Sequence, residues 1–66
     1  MTLGSDVRDR RRALRLTQQQ LADLAGVSDR FVRSVEQDKQ SVQLDKLVDV
    51  LDALGMELRA DVRRPQ

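Results

Sequence analysis

Apolar residues recur along most of this chain at helical spacing, and the spacing changes once, close to the C-terminal end. Leu44, Leu47, Val48, Leu51 and Leu54 fall three or four residues apart, which lines one face of a helix. Gly55 follows as its left-handed stop. Near the start, Val7, Leu14 and the stem of Arg11 share one side of a helix predicted over residues 6–15, with Ser5 as its N-cap. Leu16 and Thr17 close it. Thr17 with Gln20 three residues on matches a capping box. The helix that this box opens is short, because Gly26 falls nine residues after Thr17. Ser28 caps a third helix running to Glu36 or Gln37. Asp29 takes its first position, where a carboxylate suits the positive end of the dipole. A loop, polar apart from Val42, spans residues 38–43. From Met56 to Arg63 the period becomes two: Met56, Leu58, Ala60 and Val62 alternate with Glu57, Arg59, Asp61 and Arg63. That is the mark of a half-buried strand. A lone strand leaves backbone groups unpaired. The simplest partner is the same strand of a second copy, antiparallel about a two-fold axis; the alternatives are another protein's strand or a frayed tail.

The expected class is therefore all-α, one domain over residues 1–66, with a helical part at 5–55 and a dimerisation strand at 56–63. Composition supports this and removes other options. A chain of 66 residues buries only roughly 60% of the surface that its unfolded form exposes, so it is marginal alone. There is no Cys and no His, which excludes disulfides and Cys/His metal sites. Association between copies is the remaining means of stabilisation. The same absences remove the commonest catalytic base and nucleophile. A small-molecule pocket needs on the order of 300–1,000 Å³, more than so short a helical core has room for. No enzyme activity, cofactor or metal is expected. No leader or membrane-length apolar run is visible, so the expectation is a soluble cytoplasmic protein.

The net charge of +1 conceals an asymmetry. Residues 8–15 carry five Arg against Asp9, whereas residues 44–61 set Lys46 and Arg59 against Asp45, Asp49, Asp52, Glu57 and Asp61. A basic front and an acidic back are one reading; solvated helix faces are the other.

Two short helices around Gly26 decide between them. Ala22 is small where the second helix crosses closely. Gly26 accepts a left-handed turn, Val27 plugs the corner, and Val32 and Val35 face inward with Leu21 and Ala25. This is the pattern of a DNA-binding helix-turn-helix, whose second helix enters the major groove. Leu16-Thr17-Gln18-Gln19-Gln20-Leu21-Ala22, Gly26-Val27-Ser28 and Val35-Glu36-Gln37-Asp38-Lys39 resemble the phage-repressor-type, or XRE-type, helix-turn-helix domain. The resemblance runs from Val7 to Leu58. Through Leu44-Asp45-Lys46-Leu47 and Leu54-Gly55-Met56-Glu57-Leu58 it is nearest to HipB-like antitoxin repressors. It implies a compact four-helix lambda-repressor-like domain whose terminal strand pairs across a homodimer. It also implies a bacterial, nucleoid-associated repressor on a palindromic operator in double-stranded DNA, and the antitoxin of a cognate toxin. A protein-interaction module that restrains a toxin with little DNA binding is the rival. Asp38 stands where the family often has Gly, and Asp tolerates the left-handed geometry that this turn needs.

The outer face of the third helix carries the candidate base readers Asp29, Arg30, Arg33, Ser34 and Gln37. Arg30 and Arg33 suit guanine, Gln37 adenine, and Asp29 either cytosine N4 or the helix start. Thr17, Gln18, Ser28, Lys39, Gln40 and Ser41 are the candidate phosphate contacts, with Gln18 matching the family's phosphate-binding Gln. The N-terminus of the second helix supplies the anion-attracting pole. Arg8, Arg12 and Arg15 add field strength or face solvent. The resemblance further pairs Arg11 with Glu36 as a structural ion pair. Phe31 is assigned to the core edge or a dimer contact. The dimer interface is assigned to Met56, Leu58, Ala60 and Val62.

Overall fold

A computed structural model describes residues 2–62 and contains α1 (Leu3–Ala13), α2 (Gln18–Ala25), α3 (Asp29–Glu36) and α4 (Leu44–Ala53). α2 is central, packing against α3 and α4, while α1 lies on α3. Val7, Leu21, Ala22, Val32, Val35, Leu47, Val50, Leu51 and Leu54 form the buried core, drawn from every helix.

Side-chain hydroxyls set three of the four helix starts. Thr17 accepts from the Gln20 N–H, and the Gln20 side chain accepts from the Thr17 N–H, completing the expected box. Ser28 accepts from the Phe31 N–H. The first helix departs from expectation. Thr2, not Ser5, is its N-cap, and Ser5 is the third residue of a second capping box with Thr2. A hydroxyl at either position can serve a helix start; here both do, which moves the start forward to Leu3.

All four helices end in the same way. One or two residues past each helix the backbone adopts a left-handed conformation and the chain turns back on the last carbonyls. The left-handed residue is Arg15, Gly26, Asp38 or Gly55, with φ of 58°, 72°, 60° and 70°. After α3, Asp38 N–H donates to Val35 O and Lys39 N–H to Ser34 O; after α4, Gly55 N–H donates to Asp52 O and Met56 N–H to Leu51 O. The left-handed Arg15 ends α1 earlier than expected and turns Leu14 outward, where it is 41% exposed. Leu14 therefore does not belong to the buried stripe assigned to that helix.

The expected strand at 56–63 is not formed in the single chain. Residues 56–62 have neither helix nor ladder, and Arg63 lies outside the described residues. Met56 packs half-buried against the core, whereas Leu58, Ala60 and Val62 are exposed. Without a partner, the alternating pattern has nothing to bond. Among the described residues, no helix is long and apolar enough to cross a membrane, and no cluster of acidic side chains could hold a metal ion.

Candidate nucleic-acid interface

α3 divides cleanly into two faces. Val32 and Val35 are buried, with Phe31 half-buried against the same core, which places Phe31 at the core edge. Asp29, Arg30, Arg33 and Gln37 are exposed. A helix held by one face and bare on the other is free to enter a groove. Arg33 reaches back to Asp29, its Nη2 lying 3.7 Å from Oδ2 in an i,i+4 pair. Both side chains stay about half exposed, so the pair is weak and its guanidinium remains accessible. Ser34 is drawn in further than expected. It is half-buried, and its hydroxyl donates to Arg30 O at 2.9 Å, leaving the oxygen as an acceptor. Gln37 occupies the C-cap, at the far edge of the same face.

The start of α2 meets this face from the side. Its first turn contains no acidic residue, whereas those of α1, α3 and α4 hold Asp6, Asp29 and Asp45. The positive pole of α2 is therefore not quenched by its own side chains, as an anion site requires. Thr17 is exposed and engaged in its cap. Gln18 is half-buried, and its Nε2 donates to Glu36 Oε1 at 3.3 Å. A carboxylate only accepts, so this bond fixes which end of the amide faces Glu36 and leaves the second N–H of Nε2 for another acceptor. Ser28 caps α3. Lys39, Gln40 and Ser41 are exposed in the turn beyond it.

Beneath this surface lies the expected ion pair. Arg11 Nε and Nη2 donate to Glu36 Oε2 and Oε1 at 2.7 and 2.9 Å, a two-pronged arrangement. Arg11 Nη1 donates to Leu16 O at 2.8 Å. Both residues are buried. The hydrogen bonds that Arg11 donates to Glu36 raise the Arg11 pKa, outweighing the opposing effect of burial. A raised folded value stabilises below the unfolded value and is lost only as pH climbs through the folded one. The pair's contribution through Arg11 is thus constant across neutral pH. One knot therefore joins α1, the α1–α2 turn, α2 through Gln18, and the end of α3.

Two further ties escaped the pattern-based reading. Arg10 Nε donates to Leu54 O at 2.9 Å, capping α4 from α1. Gly4 N–H donates to Asp38 Oδ1 at 2.8 Å. Glycine inside a helix is unfavourable, so its presence at the start of α1 was the available signal. Its reason is crowding, since a Cβ there would lie 2.6–2.7 Å from Val35 O, Glu36 O and Asp38 Oδ1.

A family model described as helix-turn-helix matches residues 7–60. Over 62 residues the chain is 36% identical to the immunity repressor protein of Bacillus phage phi105, an alignment covering 94% of this chain and 43% of that repressor. The chain thus spans less than half the length of that relative. The helix pair around Gly26 and its two-faced second helix lie within the matched region, and the chain belongs to the phage-repressor-type (XRE-type) helix-turn-helix family.

Proposed function

We propose that this chain is the DNA-binding domain of a transcriptional repressor, acting as a homodimer on a palindromic operator. The observation that carries the reading is the outer face of α3, where Arg30 and Arg33 stand exposed behind a buried Val32–Val35 face. In the groove, these arginines read guanine, Gln37 and Asp29 read or exclude neighbouring bases, and Ser34 offers an acceptor. Thr17, Gln18, Ser28, Lys39, Gln40 and Ser41 hold the backbone and fix register without reading sequence. The chain is not proposed to be an enzyme. The shallow depression lined by Leu16, Gln20, Asp23 and Leu24 contains none of these candidate residues, and its Gln20 is the cap partner of Thr17.

Dimerisation draws on what the single chain leaves exposed. Leu44 and Val48 on α4 and Leu58 and Val62 in the tail are open to solvent. A second copy covers them, and strand pairing through residues 56–62 satisfies the tail's backbone. The same α4 surface, with Asp45, Asp49 and Asp52, also supports the second reading, an antitoxin whose acidic back holds a toxin.

Selection of duplexes from a random-sequence library, at several stated salt concentrations, tests the proposal. The expected result is enrichment of inverted repeats with half-sites about 34 Å apart and affinity that falls steeply with salt as counterions are released. Recovery of no preferred sequence, or an affinity indifferent to salt, overturns the DNA-binding reading. Enrichment of single half-sites overturns the dimer. Capture of a neighbouring gene's product on the chain without loss on adding operator DNA favours the antitoxin reading.

A further inference from the structure

We propose that Asp38 is a positioning residue for the phosphate-contacting turn, acting through Gly4 at the start of α1; the proposal rests on the DNA-binding reading. Three observations converge on it. Asp38 is left-handed at φ 60°, a conformation unfavourable for an ordinary residue and one that Asp enters more readily than most. Its Oδ1 accepts the Gly4 N–H at 2.8 Å across 34 residues of sequence. Gly4 is packed so tightly against Val35 O, Glu36 O and Asp38 Oδ1 that no side chain fits. The turn after α3 and the start of α1 are thus built as one unit.

The chemistry of the contact explains what it does. The opening N–H groups of a helix have no partner within it. In α1, Thr2 and Ser5 serve each other, and Asp38 serves Gly4 from outside the helix. The carboxylate of Asp38 is directed at the positive pole of α1, and no ion pair joins it to Lys39 among the described residues. Lys39 is therefore left with its charge available, although an acid precedes it. Its own N–H is bonded to Ser34 O, so the Lys39–Ser41 turn begins from a fixed point. Released from Gly4, that point gains freedom and the lysine loses its aim at a phosphate.

The test uses the full chain and a duplex that it enriches from a random library. Asp38→Asn keeps an acceptor oxygen and tolerates the left-handed backbone. Asp38→Gly keeps the backbone conformation and loses the tether. Lys39→Ala is the reference, and all measurements are made where helical circular dichroism matches the parent. The expected result for Asp38→Asn is a Kd within about twofold of the parent and an unchanged salt slope. For Asp38→Gly, amide exchange at Gly4 speeds up, Kd weakens roughly fivefold, and the slope of log K against log salt falls by about one, as for one lost phosphate contact. Adding Lys39→Ala to Asp38→Gly then changes the slope no further. Parental Kd and slope in Asp38→Gly overturn the proposal, as do slope losses that add in the double variant. So does Asp38→Asn binding more than about tenfold tighter, because the carboxylate would then oppose the DNA backbone. A parent chain that enriches no duplex instead overturns the DNA-binding reading, while exchange at Gly4 still reports on the tether alone.

Discussion

Arg33 and Glu36 sit three residues apart on α3 and answer to opposite requirements. Arg33 is exposed and its ion pair is the weak, half-exposed one with Asp29, so Arg33→Ala should leave the fold unchanged. Its expected effect is a loss of about 1–3 kcal/mol of discrimination at one base pair, read by competition between duplexes that differ at that position. Glu36 is buried and holds two prongs of Arg11. Glu36→Ala leaves a buried guanidinium with the Leu16 carbonyl as its remaining partner, and urea unfolding should show a loss of about 3–5 kcal/mol. Replacing both partners, Arg11→Met with Glu36→Leu, should recover most of that loss, because no uncompensated charge remains. The pair was visible in the sequence only through family resemblance, since 25 residues separate its members. The exposed arginines were visible from helical periodicity alone. Gln18 shows the difference between the two kinds of reading. Its assignment to a phosphate rests on the motif, whereas its bond to Glu36 is a tertiary contact that nothing local in sequence signals.

At the scale of the helix, the four left-handed ends make a natural comparison. Gly26 and Gly55 were legible as stops and Asp38 as a tolerated substitute, because residue type signals that conformation directly. Arg15 was not legible, since arginine carries no such signal; the chain adopts the turn there because Leu16 N–H must reach Arg11 O. Two substitutions should therefore move stability in opposite directions. Arg15→Gly relieves a strained residue and should stabilise by up to about 1 kcal/mol. Gly26→Ala meets no atom within 4 Å, so its expected loss, also about 1 kcal/mol, is conformational only. Thermal unfolding of the two variants beside the parent checks both signs. The start of α1 was misplaced for a related reason. Thr2 and Ser5 are both competent caps, and the earlier start is held by the Thr2–Ser5 box together with the tertiary bond from Gly4 to Asp38.

For the whole molecule, the core was largely readable and its outer boundary was not. Leu21, Val32, Val35, Leu47, Leu51 and Leu54 are buried as the periodicity indicates. Leu44 and Val48 share the α4 pattern yet remain 61% and 38% exposed. Hydrophobic spacing reports which face is apolar, not whether its cover comes from the same chain or another. Val50, outside the assigned stripe, is fully buried with Leu47, Leu51 and Leu54; these four share one face at helical spacing, so the buried face of α4 is rotated away from Leu44 and Val48. If a second copy covers Leu44, Val48 and Leu58, the melting temperature should rise with protein concentration. Leu44→Asp should abolish that dependence and yield monomers by sedimentation. A concentration-independent melt in the parent would place the cover elsewhere.

The knot formed by Arg11, Glu36, Leu16 O and Gln18 has a thermodynamic consequence for the proposed encounter with DNA. Because α3 is fastened at its C-terminal end before any ligand arrives, little ordering entropy remains to be lost when it docks. The heat-capacity change of binding should then match the surface covered, with no excess from coupled folding. Loosening the knot should enlarge that change even where the measured affinity is the same.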